Sequence, residues 1–401
     1  MANKKRVVVI GAGAAGLSVA ARLQRGGQGL EVVLVDPASV HYYQPLWTLV
    51  GAGIFPKERS RRPMAEMIPK GVQWIRQAAA EFRPEENCVV TADGQRLGYD
   101  ALVVAAGLQI NWGKIPGLQE AVGKNGVCSN YSYDTVNATW EQIQRFTGGR
   151  ALFTIPSTPI KCAGAPLKVM FLAEDHFRRT GIRNVTHVSY MCAVASIFRA
   201  PKYAERLSAI ATARGIEVNY RQELTELRPE AKEAVFKHAE SGEERVEKYD
   251  LIHVTPPMGP PDFIKQSTLG DAAGWVEVNK ATMQHVRYPN VFSLGDASNL
   301  PTSKTAAAIR AQSPILVANL LAFLRGTTSD AQYYGYTSCP LVTGYGKLML
   351  AEFDYELKPV ETFPFDQGEE RGSMYLLKKY VMPEIYWRGL VRGRSWPWPL
   401  P

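Results

Sequence analysis

The feature that most restricts the fold is a glycine-rich turn near the start of the chain. It joins the β-branched run Arg6–Ile10 to a helix-like stretch, and its glycines form a G-x-G-x-x-G pattern, namely Gly11, Gly13 and Gly16. A second apolar run, Glu31–Val35, ends at Asp36, at the spacing of about 20 residues typical of ribose-binding acids. The glycines allow a tight turn, close approach of a pyrophosphate, and packing of helix on strand. The pattern predicts a parallel α/β unit with a dinucleotide site; the alternative is a chance glycine-rich turn.

Two later segments indicate which dinucleotide is bound. The strand-like run Tyr99–Gly107 ends in small residues, and the run Asn290–Asp296 ends in Gly-Asp before the helix-like stretch Lys304–Leu324. With the first turn, they resemble the FAD-binding signatures of the two-dinucleotide-binding-domain flavoproteins. The resemblance implies that Asp296 binds the ribityl chain of FAD, and it adds three residues to the cofactor-binding set, namely Gly107, Gly295 and Lys304. An ordinary strand end is the alternative.

The middle of the chain predicts a second α/β unit. Strands are expected at 150–155, 184–190, 216–220 and 251–255, with a helix at 167–178. NAD(P)H-using relatives carry a second glycine-rich turn here, whereas this chain has the proline-rich loop 156–166. Prolines remove backbone donors, so we expect no nicotinamide site and another source of electrons.

These patterns divide the chain into three predicted parts. Residues 1–115 and 280–335 form an FAD-binding Rossmann domain, and residues 116–279 a second Rossmann-like domain without the nicotinamide motif. The aromatic-rich region 336–401 forms the third part. The predicted fold class is therefore α/β, with two Rossmann-like domains of the glutathione-reductase-like kind.

Composition excludes several classes of protein. The 46 lysines and arginines against 38 acids give a net charge of +8, without the basic stripe that nucleic-acid binding needs. An anionic substrate or an anionic membrane surface fits this excess. The five cysteines form no C-x-x-C pair and no zinc-spaced cluster, so we expect no metal site and a reducing compartment.

Two of the cysteines are candidates for chemistry. Cys162 lies beside Lys161 and just before a predicted helix, and both neighbours favour a thiolate. Cys339 lies in a turn-like stretch much later in the chain. Residue type alone leaves open that each is a buried, inert cysteine.

Several segments resemble the sulfide:quinone oxidoreductase family, in particular its animal mitochondrial-like form; they are residues 41–53, 158–166, 253–258, 299–308 and 336–345. The resemblance implies that Cys162 and Cys339 flank FAD and form a disulfide or trisulfide at rest. Hydrogen sulfide would attack Cys339, leaving a persulfide there and a thiolate on Cys162. Two electrons would pass to a quinone, and the sulfur to an acceptor such as glutathione, sulfite or sulfide. Lys378 matches a family lysine near the flavin pyrimidine ring; a solvated helix charge is the alternative.

Other residues are weaker candidates. Cys128 precedes Cys162 at the distance of a third family cysteine that the animal-like form generally does not use, whereas Cys88 and Cys192 are expected to be bystanders. Glu120 is a candidate acid, and His41 is expected to be structural. Three aromatic residues are candidates for a quinone pocket or ordinary core, namely Tyr345, Phe353 and Phe365.

The C-terminal stretch predicts contact with a membrane surface. Residues 376–400 mix aromatic and aliphatic side chains, Trp396 and Trp398 among them, with five cations. A dimer interface is the alternative, and homo-oligomer formation is left open. The sequence shows no targeting segment and no 18-residue apolar window. We expect a peripheral protein on the cytoplasmic face of a bacterial inner membrane, or on the mitochondrial inner membrane if a transit peptide was removed.

Three other functions compete with this interpretation. A type II NADH:quinone dehydrogenase would need a nicotinamide site. A flavocytochrome sulfide dehydrogenase subunit would carry an export signal. A non-catalytic flavoprotein of the apoptosis-inducing type would not need both cysteines.

Overall fold

The computed structural model describes residues 4–394. Its strands are β1 Lys5–Ile10, β2 Leu30–Val35, β3 Val40–Tyr42, β4 Arg61–Pro63, β5 Gln73–Ile75, β6 Ala79–Arg83, β7 Cys88–Thr91, β8 Arg96–Gly98, β9 Ala101–Val104, β10 Gln109–Ile110, β11 Val127–Cys128, β12 Gly149–Ile155, β13 Thr186–Cys192, β14 Glu217–Tyr220, β15 Gln222–Arg228, β16 Glu233–His238, β17 Glu244–Lys248, β18 Leu251–His253, β19 Met258–Gly259, β20 Val291–Ser293, β21 Thr337–Gly344 and β22 Lys347–Phe353. Its α-helices are α1 Ala14–Gly26, α2 Trp47–Val50, α3 Met64–Met67, α4 Leu118–Ala121, α5 Val136–Arg145, α6 Ala165–Arg179, α7 Pro201–Ala213, α8 Asp262–Lys265, α9 Ala306–Arg325, α10 Gly372–Leu376 and α11 Met382–Glu384.

The first parallel sheet has the strand order β20-β9-β1-β2-β5. All of β9 and the last four residues of β1 are buried, because helices and loops cover both faces of such a sheet. The strands predicted over 99–107 and 290–296 are shorter than expected. Gly107 (φ +74°) and Gly295 (φ +66°) adopt left-handed conformations, which turn the chain away from the sheet.

The second parallel sheet has the order β11-β18-β12-β13-β14. Its central strand β12 leads through the loop 156–164 into α6, so the second unit repeats the strand, turn and helix of the first. The predicted strands and helix of the middle region are present, with small differences at their ends. The mixed α/β fold with parallel sheets is thereby confirmed, whereas the three domain boundaries stay a prediction.

A β-hairpin follows α9 and packs against α6. Its strands β21 and β22 are antiparallel, and Cys339 lies opposite Ala351. Gly164, just before α6, allows this packing, because a Cβ atom there would lie 2.4 Å from a methyl carbon of Leu341. The hairpin thus brings Cys339 to the turn that carries Cys162.

The C-terminal region is helical from Gly372 to Arg392, and α-helical turns alternate with π-helical ones at Leu377–Val381 and Ile385–Gly389. One face of this segment is buried. It includes Tyr386, Trp387 and Leu390, which the sequence assigned to the membrane surface. The rings of Tyr386 and Trp387 pack against those of His41 and Tyr43 instead of facing outward. Trp396 and Trp398 lie outside the described residues.

The expectation of no 18-residue apolar window is wrong, because one described helix, α9, is long and apolar enough to cross a membrane by length and composition. Half of its most apolar window is buried in the protein. The Ser313 hydroxyl on α9 lies 2.9 Å from that of Ser18 on α1, and Gln312 accepts a hydrogen bond from the backbone N–H of Gly295 (2.9 Å). These are the contacts of a core helix packed beneath the first sheet.

Candidate active site

One cavity of about 560 Å³ collects most of the predicted site residues. Those that line it are Gly11, Gly13, Asp36, Gly107, Cys162, Asp296, Lys304 and Lys378. The other three, Gly16, Gly295 and Cys339, lie behind its wall. The cavity therefore joins the dinucleotide motif to the cysteine region, although the two are far apart in sequence.

The first glycine-rich turn has room for backbone only at Gly11 and Gly16. A Cβ atom at Gly11 (φ +96°) would lie 2.5 Å from the Ala105 carbonyl oxygen, and one at Gly16 would lie 1.8 Å from that of Gly11. A Cβ atom at Gly13 would meet nothing within 4 Å, so its backbone is open toward the cavity. This cradle fits the pyrophosphate of a dinucleotide cofactor.

Asp36 holds this turn in place. Its two carboxylate oxygens accept hydrogen bonds from the backbone N–H groups of Ala12 (2.6 Å) and Ala38 (2.7 Å). Because a carboxylate has about four acceptor positions, it keeps capacity for a ribose hydroxyl. The position of Asp36 therefore also fits the predicted cofactor.

Asp296 and Lys304 form a second polar part of the cavity wall. The Lys304 ammonium donates to the backbone oxygens of Asp296 (2.8 Å) and Ser298 (3.1 Å) and lies 3.9 Å from the centroid of the Trp275 ring. Burial lowers the pKa of Lys304 to about 8 and raises that of the Asp296 carboxyl. Lys304 thus fixes the Gly-Asp turn from which Asp296 faces the cavity.

The two candidate cysteines are in contact. Cys162 has a left-handed backbone (φ +58°), and its N–H donates to the Lys304 carbonyl oxygen (2.8 Å). Cys339 is fully buried in β21, and its thiol hydrogen-bonds to the Cys162 sulfur. That hydrogen bond, followed by the charge of Lys168, lowers the pKa of Cys162 well below its usual value, and the same hydrogen bond raises the pKa of Cys339. The pair is therefore arranged with Cys162 as thiolate and Cys339 as thiol.

Lys168 is the cation at this thiolate, and sequence reasoning missed it. Its side chain is buried in the first turn of α6, and its Nζ lies 3.2 Å from the Cys162 sulfur. Lys161, the predicted cation, instead donates to Gln44 Oε1 (2.7 Å) and lies over the Trp47 ring. The sequence signal was a single lysine within the apolar run of α6. Because helical side chains tilt toward the N-terminus of their helix, a lysine in the first turn points back toward the cysteine that precedes the helix.

Lys378 is buried beside the same cavity. Only 2% of it is exposed, and its Nζ donates to the Pro45 carbonyl oxygen (2.9 Å). Burial, with repulsion from Lys168, lowers the pKa of Lys378 to about 7. The alternative of a solvated helix charge is wrong.

Comparisons with known proteins agree with this geometry. Residues 5–146 match the family described as pyridine nucleotide-disulphide oxidoreductase. The chain is 48% identical over 392 residues to the mitochondrial sulfide:quinone oxidoreductase of Mus musculus, covering 98% of this chain and 87% of the relative. The chain belongs to the sulfide:quinone oxidoreductase family. Membership confirms the predicted resemblance and implies a flavin-type cofactor.

Further relatives support the same family. The mitochondrial sulfide:quinone oxidoreductase of Dictyostelium discoideum is 48% identical over 395 residues, covering 98% of this chain and 87% of the relative. The solved sulfide:quinone oxidoreductase of Aquifex aeolicus superposes with a TM-score of 0.81 at 18% identity, over 97% of this chain and 92% of that one. At that identity the structure is evidence for the fold alone.

The other cysteines of this family member lie apart from the cavity lining. Cys128 is fully buried in β11, and burial raises its pKa to about 12. Cys192 is fully buried in β13 and Cys88 is buried in β7. Thiols buried in this way are poorly accessible as nucleophiles.

The remaining candidates have structural surroundings. Burial lowers the pKa of His41 to about 4; its two ring nitrogens contact the Ala12 carbonyl oxygen (3.1 Å) and the Tyr386 hydroxyl (2.7 Å). Glu120 is exposed in α4. The three aromatic candidates do not line the cavity: they are Tyr345, Phe353 and Phe365.

Proposed function

We propose that the protein oxidises hydrogen sulfide through Cys162 and Cys339 and delivers two electrons through FAD to a membrane quinone. The observation that supports this most strongly is the contact between the Cys339 thiol and the Cys162 sulfur, with Lys168 Nζ at 3.2 Å. The pair lies at a cavity whose wall also carries the dinucleotide turn.

The sulfur chemistry starts from the disulfide form of the pair. Hydrosulfide attacks the Cys339 sulfur; the S–S bond breaks, leaving a persulfide on Cys339 and a thiolate on Cys162. An acceptor such as glutathione, sulfite or sulfide then takes the outer sulfur. The remaining dithiol loses two electrons and two protons as the disulfide reforms, and the quinone gains two electrons and two protons.

The leaving group in this step is stabilised by the protein. The low pKa of Cys162 makes its thiolate a good leaving group, and the ammonium of Lys168 neutralises the charge as it develops. Lys378 adds a second cation near the same sulfur. Together they attract the anionic substrate to the cysteine pair.

FAD fits the cavity through residues already described. Gly11 and Gly13 would lie against its pyrophosphate, Asp36 would accept a ribose hydroxyl, and Asp296 the ribityl chain. When bound, FAD supplies the redox centre between the two-electron chemistry of the cysteines and the quinone. Lys378 would hold positive charge beside it.

Quinone access requires a membrane surface. The outer face of the C-terminal helical segment exposes apolar side chains, namely Leu376 (55%), Tyr380 (52%) and Val381 (37%). Exposed apolar residues next to cations are typical of interfacial segments. The membrane is either the cytoplasmic face of a bacterial inner membrane or the mitochondrial inner membrane, and relatives named as mitochondrial favour the second. Whether the protein is a homo-oligomer stays a prediction to be tested.

The test is an anaerobic sulfide titration of the holoenzyme, followed through the flavin absorbance. Sulfide should bleach the flavin of the wild type, and a soluble quinone should restore the colour. C162S and C339S should remain oxidised, whereas C192S, with a buried cysteine away from the cavity, should behave like the wild type. Bleaching by NADH but not by sulfide would overturn the proposal in favour of a dehydrogenase.

Two further measurements address the partners. Sulfane-sulfur products with glutathione, sulfite or sulfide as acceptor would identify the third substrate. Flotation with anionic vesicles should recover the wild type but much less of L376S/Y380S, because each exposed apolar side chain contributes about 1 kcal/mol or more on insertion. Equal recovery of the wild type and L376S/Y380S would show that this face does not contact the membrane.

A further inference from the structure

The β21–β22 hairpin has two chemically different faces. Cys339 points to one face, toward Cys162. The alternate residues of the hairpin line the cavity, namely Ser338, Pro340, Leu350 and Glu352. Because successive side chains in a strand point to opposite faces, Cys339 and these residues lie on opposite faces of the hairpin, whereas Cys162 lines the same cavity as they do.

Glu352 is an unusual residue for this wall. It is 3% exposed, and none of the ion pairs among residues 4–394 includes it. Its carboxylate instead accepts hydrogen bonds from the Tyr336 hydroxyl, from the backbone N–H of Thr362 (2.8 Å) and from Gln367 Nε2 (2.8 Å). Glu352 is thus a carboxyl group of the cavity wall that neutral donors hold in place.

Charged and titratable neighbours surround this carboxylate on two sides. Toward the cavity, the Tyr336 hydroxyl lies between Glu352 and the half-buried Arg310, whose guanidinium donates to it (3.4 Å). Away from the cavity, Glu361 pairs with Lys202 (2.7 Å) and accepts from the Tyr203 hydroxyl (2.8 Å). Tyr336, Arg310 and Glu352 line the cavity. The Glu361 side of the network does not.

We propose that Glu352, together with Tyr336, donates a proton to the quinone as it is reduced. This rests on the proposed function, in which quinone takes two electrons and two protons to become hydroquinone. Cys339 lies across the hairpin from Glu352, so Glu352 is a proton source separate from the cysteine pair. The reduced flavin would supply two electrons and one proton. Glu352 transfers the second proton to a quinone oxygen, directly or through the Tyr336 hydroxyl, and regains it from water at the Arg310 side of the cavity.

The experiment separates the two half-reactions of the holoenzyme. The flavin is reduced anaerobically with dithionite, and its reoxidation by a soluble short-chain benzoquinone is followed by rapid mixing. E352Q should reoxidise about 10²-fold more slowly or worse, as expected for loss of a general acid. E352D should recover part of the rate, and Y336F should lie between E352Q and the wild type.

Further readouts distinguish proton donation from a structural role. The reoxidation rate of the wild type should depend on pH, and E352Q should lack that dependence. Quenching of tryptophan fluorescence by the benzoquinone should report unchanged binding. E361Q, which alters the same hydrogen-bond network on the side away from the cavity, should reoxidise like the wild type.

The outcomes also separate this inference from the proposed function. Reduction by sulfide should be normal in E352Q, and a failure of sulfide to reduce the wild type would count against the proposed function alone. Reoxidation of E352Q at the wild-type rate with the wild-type pH profile would overturn the inference. If E352Q does not retain flavin, wild-type behaviour of both E352D and Y336F would overturn it as well.

Discussion

The two parallel sheets use the same position for different purposes. In each, the central strand, β1 or β12, leads through a turn into a helix, α1 or α6. The first turn presents backbone only, since Cβ atoms at Gly11 and Gly16 would collide with carbonyl oxygens. The second presents side chains, Cys162 and Lys168, one touching the other.

The difference shows how one fold supports both binding and chemistry. A turn without side chains lets a ligand approach the helix N-terminus closely. A turn with a cysteine and a first-turn lysine uses the same location to stabilise a thiolate. A second glycine-rich turn would bind another dinucleotide, and here that place holds a cysteine in contact with a buried lysine.

The largest expected effect comes from adding one methyl group to the first turn. G16A places a Cβ atom 1.8 Å from the Gly11 carbonyl oxygen, so the backbone must move, and we expect a loss of roughly 3 kcal/mol of stability and of bound flavin. Denaturant unfolding and the flavin content after purification measure both.

The matched control is G13A in the same turn. Its Cβ atom meets no protein atom, and the backbone at Gly13 (φ −70°) suits alanine. We expect normal folding of the protein but flavin affinity reduced about tenfold, equivalent to about 1.4 kcal/mol. Equal stability losses in G13A and G16A would contradict the assignment of different tasks to the two glycines.

The next effect concerns the second turn. K168M removes the cation 3.2 Å from the Cys162 sulfur while the hydrogen bond from Cys339 remains, so the pKa of Cys162 should rise. The pH dependence of iodoacetamide alkylation of the reduced holoenzyme measures this. K168R should keep most of the effect, and K161M should alter it little; the reverse order would return the role to Lys161.

Lys378 provides a smaller effect with a defined pH dependence. Burial lowers its pKa to about 7 in the folded protein, so the unfolded chain binds more protons above that pH. Wild-type stability should therefore rise relative to K378M by about 2 kcal/mol between pH 7 and pH 9. Urea unfolding at several pH values tests this, with the exposed Lys347 (K347M) as control. A constant difference between wild type and K378M would mean that Lys378 stays charged throughout.

Sequence patterns predicted the fold more completely than the site. The strand, turn and helix around Gly11 are specified locally, by alternation of apolar runs and glycines, so their positions agree with the structure. The contact between Cys162 and Cys339 was implied only by family resemblance, because packing of the hairpin on α6 brings them together. Lys168 was missed since a lysine on a helix is usually solvated, and only tertiary packing buries it.

The smallest expected effect tests the backbone of the second turn. Cys162 has a left-handed conformation (φ +58°), which costs a residue with a Cβ atom about 1 kcal/mol relative to glycine. C162G should therefore be about 1 kcal/mol more stable than C162A in denaturant unfolding. At Cys339, in the middle of β21, the order should reverse, because glycine weakens a strand. If alanine were the more stable residue at both positions, the turn would hold Cys162 without strain. The contact of Cys162 with Lys168 would then be the feature that distinguishes this turn from an ordinary strand-to-helix connection.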